Sequence, residues 1–358
     1  MPDLFIHIGG PKTGTSAIQR HLTRYRGALR KAGTLYPEGG VLKSAHHRLG
    51  AAVFAERAGR LGGESRGAVL DEAIGAIRAE MTEHDPKRVI ISTEYLWGEL
   101  PKTDVRSLLD PFAHCALHVV AYLRRQDLFA QSLYMQAVKT GAAQPFAAWL
   151  ENVADGPRAG LHFDRVLDCW RDCGLPIRLV LRVYEPGQID ADVTRDFMAT
   201  VCPDIAFQGG DNQGVNTASD VLTIELMRRV NGAMEDSATA HEMRRRLLRS
   251  TPPRATFAPI SYLSGADAAG FMSRFEEGNR RVATDLLGRA DGRLFLQPPP
   301  DADAPATTID DGAMLDRLVA LLPQLVGIEH AEPAPDKAAT AKEAKRKKRR
   351  DRATADPG

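Results

Sequence analysis

Two patterns of apolar residues alternate along the chain. One is the short unbroken run closed by turn residues. Leu4-Phe5-Ile6-His7-Ile8 stops at Gly9-Gly10-Pro11, and Arg88-Val89-Ile90-Ile91-Ser92, Leu117–Leu123 and Ile177–Val183 read the same way. Runs of this length with β-branched residues predict strands buried on both faces. The other pattern is the stretch with one apolar face at helical spacing. Residues 15–30 place Ile18, Leu22 and Leu29 together, and residues 66–84 place Val69, Leu70, Ile74, Ile77 and Met81 together. Further helices are predicted over 125–140, 163–173, 190–201, 217–230, 238–249 and 267–289. Strands separated by helices predict the α/β class, a parallel sheet flanked by helices. Ligands of such sheets sit beyond the carboxyl ends of the strands, which points to residues 9–16, 92–97, 124–136 and 184–186.

The pattern fails in the last segment. Residues 331–358 contain no large apolar side chain and carry the run Lys345-Arg346-Lys347-Lys348-Arg349-Arg350. Such a composition cannot bury a core, so a disordered tail is expected, preceded over 298–330 by an extension with a short helix. The tail holds nine basic and five acidic residues, a net of +4, whereas the whole chain of 358 residues has a formal charge of +1. What precedes the tail is therefore slightly acidic, which excludes general nucleic-acid affinity and leaves the tail as the only part suited to an anionic surface. No apolar run reaches the ~18 residues of a membrane span, and the first residues lack a signal-peptide pattern, so a cytoplasmic protein is expected. The four cysteines, Cys115, Cys169, Cys173 and Cys202, have no zinc-type partners at the right spacing and read as buried thiols.

The first strand runs into Gly9-Gly10-Pro11-Lys12-Thr13-Gly14-Thr15-Ser16. A strand, a glycine turn and a helix start leave backbone N–H groups open to an anion, and the helix dipole adds positive potential. Lys12 brings a full charge, and Thr13, Thr15 and Ser16 bring hydroxyls. The loop departs from the nucleotide-triphosphatase pattern, in which lysine follows the last glycine; here Lys12 stands two places before Gly14. Ile8-Gly9-Gly10-Pro11-Lys12-Thr13-Gly14-Thr15-Ser16 resembles the 5′-phosphosulfate loop of sulfotransferases, above all bacterial members of that family. The resemblance implies a P-loop-like sulfotransferase fold over residues 1–297 and the co-substrate 3′-phosphoadenosine 5′-phosphosulfate (PAPS), with Lys12, Thr13, Gly14, Thr15 and Ser16 on its 5′ end.

A second element follows the third strand, Leu123-Arg124-Arg125 and then Ser132, about two helical turns on. An arginine at a strand end and a serine on the next helix can hold one phosphate. This spacing, and the run Ser132-Leu133-Tyr134-Met135-Gln136, resemble the 3′-phosphate site of the same family, implying that role for Arg124 and Ser132. Weaker likeness continues through Arg182-Val183-Tyr184-Glu185, Asn212–Asn231 and Phe275–Phe295. The Arg-Lys-Gly tripeptide by which eukaryotic members also grip the 3′-phosphate is missing, and Arg280-Arg281 are the candidates to replace it.

Sulfuryl transfer needs positioning, charge stabilisation and a base for the acceptor's proton. Lys12 is placed to stabilise the leaving phosphate. Glu94, in Ser92-Thr93-Glu94, matches the family's Ser-x-Glu and is the preferred base, with His46 and His47 as the alternative. No metal is required. His7 and the isolated Trp97, Trp149 and Trp170 read as packing residues. The expected activity is transfer of a sulfuryl group from PAPS to a hydroxyl or amine of a carbohydrate, lipid head group or small metabolite. Residues 34–66 and 232–265 are the expected acceptor side. The competing readings are a P-loop small-molecule kinase, which lacks its lysine, and a nucleotide-binding protein without catalysis.

Overall fold

The computed structural model describes residues 1–54, 59, 61–156, 159–190, 192–207, 221–234, 237–250 and 261–325. Strands β1 (Asp3–Gly9), β2 (Thr34–Leu35), β3 (Arg88–Ser92), β4 (Ala116–Leu123) and β5 (Ile177–Val183) form one sheet in the order β2-β3-β1-β4-β5. Every pairing is parallel. The helices are α1 (Thr15–Arg24), α2 (Arg26–Lys31), α3 (His47–Val53), α4 (Arg66–His84), α5 (Lys102–Leu109), α6 (Gln126–Lys139) and α7 (Phe146–Val153), then α8 (Phe163–Arg171), α9 (Val193–Val201), α10 (Val221–Ala233), α11 (Ser237–Ser250), α12 (Gly265–Ser273), α13 (Glu276–Arg281) and α14 (Asp311–Leu325). None of them, among the described residues, is long and apolar enough to cross a membrane.

The two-residue period of a strand sorts each apolar run between the two faces of the sheet. Leu4, Ile6 and Ile8 of β1, Val89 and Ile91 of β3, and Leu117, Val119, Ala121 and Leu123 of β4 belong to one core with residues of α3, α4, α5 and α8. Phe5, Ile90, Val120 and Tyr122 belong to a second core with Ile18 and Leu22 of α1, Leu29 of α2 and Phe197 of α9. A third cluster lies away from the sheet, where Tyr134 and Val138 of α6 meet Phe146, Trp149, Met227, Leu247 and Met314. Trp97 and Trp170 are buried in the first core, and all four cysteines are buried and unpaired.

The structure departs from the sequence reading in several places, and α5 and α7 form where no helix was predicted. Residues 15–30 form two helices, because Tyr25 leaves helical angles (φ −101°, ψ 13°). Residues 267–289 divide into α12, α13 and a wide turn over Val282–Leu286, with Phe271 and Phe275 packed edge to face across the break at 5.0 Å. Strand β2 was unpredicted, since two residues carry no period. The tail expected over 331–358 lies outside the described residues.

β1 has β3 on one side and β4 on the other, so the strand order reverses beside it. A crevice at the carboxyl ends of β1, β3 and β4 follows from that reversal. The turn into α1 is tightly fitted there. Gly14 has φ 84°, and a Cβ on it would stand 2.5 Å from Val193 Cγ1 on α9. Gly14→Ala is expected to cost roughly 1–3 kcal/mol in urea unfolding, from the left-handed backbone and the overlap together. Val193→Ala in the same chain should return part of that loss, with a coupling above ~0.5 kcal/mol; strict additivity would contradict this fit.

Candidate functional site

The turn after β1 is shaped by residues in the left-handed region, Gly9 (φ 95°), Lys12 (φ 68°) and Gly14 (φ 84°). Alternation of this kind turns successive N–H groups towards one concavity that favours anions. Gly10 is anchored to β4 by its N–H to the Tyr122 carbonyl (3.2 Å), and a Cβ at Gly10 would meet that same oxygen at 2.5 Å. The hydroxyls of Thr13 and Thr15 turn inward and donate to the Gly10 carbonyl, so they brace the loop. This corrects the simplest expectation for them: both side chains are buried, and only Ser16 presents an exposed hydroxyl. Helix α1 begins without a side-chain cap at Gly14, and the amides of Thr13, Gly14, Thr15 and Ser16 donate to no backbone carbonyl among the described residues. An uncapped helix start beside a lysine has the chemistry that suits an anion.

The second element meets the first. Arg124 Nη1 donates to the Lys12 carbonyl at 3.0 Å and to Ser132 Oγ at 3.0 Å. The neighbouring Arg125 is occupied by Asp127, with Nε to Oδ1 at 2.8 Å and Nη2 to Oδ2 at 2.9 Å. Arg124 makes no such carboxylate pair among the described residues, and burial holds its pKa below the ordinary arginine value against the raising influence of Tyr184 and Asp127. Ser132 is 5% exposed on α6. One guanidinium therefore ties the turn after β1 to the helix after β4. Arg280 and Arg281 lie elsewhere: Arg280 pairs with Glu277 (2.7 Å), and Arg281 with Asp164 (2.9 Å) and Asp168 (3.3 Å). Neither contacts Arg124 or Ser132, so the suggested replacement for the missing tripeptide is not where it was sought.

Glu94 opens the short 3₁₀ turn after β3 and lies over the glycine turn, its Cβ 3.2 Å from a Cβ built on Gly9. Gln19 Nε2 of α1 donates to Glu94 Oε2 (2.9 Å), and His47 Nε2 is 3.8 Å from Glu94 Oε1. Thr93 Oγ1 accepts the Tyr95 N–H (3.2 Å) and lies 3.1 Å from His47 Nδ1. Tyr95 stacks on the His47 ring at 4.3 Å. Glu94 keeps 27% side-chain exposure, so it is reachable from solvent.

The adjacent His46 has a different fate. It is fully buried; Ser92 N–H donates to its Nδ1 (3.1 Å) and its Nε2 faces the Pro37 carbonyl (3.2 Å). Burial pushes its pKa down to about 4, outweighing the backbone hydrogen bonds that raise it. With both nitrogens engaged and no exposure it is a fastener between β3 and the loop at Pro37, and the expectation of His46 as a base is corrected on that ground. His7 is equally buried, its Nδ1 2.9 Å from Ser92 Oγ and its pKa pushed down to about 3 by burial, in keeping with a packing role.

Two residues of the site went unnoticed in the sequence. Gln19 orients Glu94 and also reaches Ser92 Oγ (3.4 Å), but a glutamine on a helix carries no pattern that marks it. Lys139, in the last turn of α6, lies within electrostatic reach of Lys12. Lys12 itself is exposed by surface area, yet protein packed around it, then the Arg124 charge, lowers its pKa, while Glu94 raises it. Glu185, in the segment flagged after β5, accepts the N–H groups of Leu296 (2.7 Å) and Gln297 (2.9 Å), so it pins a later part of the chain across the strand end.

The buried neutral histidine has a consequence for stability. The folded state holds His46 near pKa 4 against an ordinary 6.5, so the unfolded chain binds the extra proton between those values. Stability is lost as pH falls through that window, by roughly 3 kcal/mol from this residue. His46→Gln should be less stable at pH 7 and should show a shallower fall of stability between about pH 6.5 and pH 4 in urea unfolding; parallel curves would contradict the assignment.

Comparison with known proteins adds no relative: no family model matches the chain, and no curated protein or solved structure matches it.

Proposed function

We propose that the protein is a sulfotransferase that moves a sulfuryl group from PAPS to an acceptor hydroxyl or amine. The observation that supports this reading is the pair of hydrogen bonds from Arg124 to the Lys12 carbonyl and to Ser132, both 3.0 Å, which joins the loop after β1 to the Arg124–Ser132 element. Two such elements suit a donor charged at both ends. The open amides at the start of α1 and Lys12 fit the 5′ end, and the unpaired guanidinium of Arg124 with the Ser132 hydroxyl fits the 3′-phosphate. The sequence likeness of the loop and of the Arg124–Ser132 spacing supports the same assignment.

Bound PAPS supplies an activated sulfuryl group on a phosphate leaving group. In the proposed reaction Glu94 takes the proton of the acceptor as its oxygen or nitrogen bonds to sulfur. The sulfur–oxygen bond to the phosphate breaks, its electron pair stays on the phosphate, and Lys12 stabilises that charge. Gln19 holds one carboxylate oxygen and His47 faces the other, so the base stays oriented while still reachable. His47 is the positioning residue here and the second candidate for proton transfer. No step calls on a metal, and the lysine position after Gly10-Pro11 argues against a kinase arrangement.

The test combines binding and transfer. The bisphosphate product, 3′-phosphoadenosine 5′-phosphate, should raise the melting temperature more than ATP with Mg²⁺ does. Sulfur-labelled PAPS should label an acceptor pool in extract of the source organism. Lys12→Ala should lower that labelling by about 10²–10³-fold. Glu94→Gln should lower it by about 10²–10⁴-fold while bisphosphate affinity stays within about twofold. A larger shift with ATP and Mg²⁺ would favour the kinase reading, and normal turnover of Glu94→Gln would remove Glu94 as the base.

A further inference from the structure

The charges gathered at the crevice do not balance, and the excess has a location. Arg125 is matched by Asp127, and Arg182 by Asp196. Glu94 is the carboxylate that raises the Lys12 pKa, and Arg124, hydrogen-bonded to the Lys12 carbonyl and Ser132, has no ion pair among the described residues. Lys139 adds a third cation, half-buried at the carboxyl end of α6, with no ion pair or hydrogen bond among the described residues. It lies seven positions after Ser132, which on an α-helix is the same face, about 10 Å further along the axis. The face that presents Ser132 to Arg124 therefore continues to Lys139. Burial first, and the Lys12 charge second, pull its pKa down to about 8. A side chain in that state is stabilised by any anion that settles against it.

The structural alternative is an ordinary cation at a helix carboxyl end, favoured by the helix dipole. That role needs neither burial nor a second lysine in electrostatic reach, and the carbonyls of Val138 and Ala142 at this helix end are already served by Asn231 Nδ2 at 2.8 Å each. Both charged ends of the donor also have partners without Lys139. We propose that Lys139, half-buried on the Ser132 face of α6 and unpaired among the described residues, is the contact for an anionic group of the acceptor. The acceptor would then carry a carboxylate, sulfate or phosphate near the hydroxyl or amine that is sulfated. This rests on the sulfotransferase reading and narrows it to acidic acceptors.

The experiment reads Lys139 directly. The whole protein is saturated with PAPS without acceptor and treated with N-hydroxysuccinimidyl acetate, and acetylation of Lys139 is followed by mass spectrometry. Inorganic sulfate is the anion probe, and sodium chloride at equal ionic strength is the control. Lys139 should stay reactive in the PAPS complex, and sulfate should slow its acetylation by about fivefold or more in a saturable way, because an adjacent anion favours the charged amine. Chloride should not. Sulfate acting no better than chloride overturns the proposal. PAPS alone shielding Lys139, where the bisphosphate does not, also overturns it, because Lys139 would then belong to the donor's sulfuryl group. Lys139→Met should bind the bisphosphate within about twofold of wild type; a larger loss places the lysine on the donor and overturns the proposal as well. Failure of the wild-type protein to bind either nucleotide is a separate result, which removes the donor reading itself and this inference with it.

Discussion

A single guanidinium joins the two halves of the crevice. Arg124 leaves the carboxyl end of β4 and donates to the backbone of the turn after β1 and to a serine on α6. The Lys12 carbonyl that receives one of those bonds belongs to a residue in left-handed conformation, which costs about 1–2 kcal/mol for a side-chain-bearing residue. The bond offsets that cost and fixes how the lysine and the following amides face the crevice. Arg124 is free to do this because its neighbour Arg125 has taken Asp127. Two consecutive arginines thus divide the work: Arg125 forms an ion pair, and Arg124 ties the loop after β1 to α6.

The sheet explains why these parts converge. Parallel strands all end on the same side, and the strand order reverses beside β1, which is where ligands of such sheets sit. Gly10 can lie against Tyr122 only because it has no Cβ, and Gly14 against Val193 for the same reason. The closeness of β1 and β4 is thereby carried into the loops. On the other side, His46 ties the end of β3 to the Pro37 loop, and this places His47 and Glu94 at the mouth. Buried histidines do the fastening, while Glu94 and Lys12 keep solvent-reachable side chains.

Much of this was legible in the sequence, for identifiable reasons. β1, β3 and β4 are mainly apolar runs because both faces of the inner sheet are covered, whereas the edge strand β5 carries Arg178 and Arg182 and buries only Leu181 and Val183; α4 shows its buried stripe in its spacing. Lys12, Arg124 and Ser132 stood out because each follows a strand end at a fixed interval. What stayed hidden depended on direction in space. His46 and His47 are identical and adjacent, yet one precedes the first turn of α3 and points inward while the next faces Glu94. Gln19 and Lys139 occupy helix positions where polar residues are ordinary, and only the packing of α1 and α6 against the loops gives them a partner or withholds one. The threonines of the loop look like ligand donors in sequence but are used up by the Gly10 carbonyl.

In the proposed function one ligand is gripped at both ends by elements that Arg124 connects. Calorimetric titration with adenosine 3′,5′-bisphosphate, 5′-AMP and 3′-AMP separates the two ends. The bisphosphate should bind about 100-fold or more tightly than either monophosphate, as two charge-assisted contacts of about 1.5–3 kcal/mol would require. Arg124→Ala should remove most of the advantage over 5′-AMP. A bisphosphate that binds no better than 5′-AMP, or an Arg124→Ala protein that keeps the full preference, would contradict it.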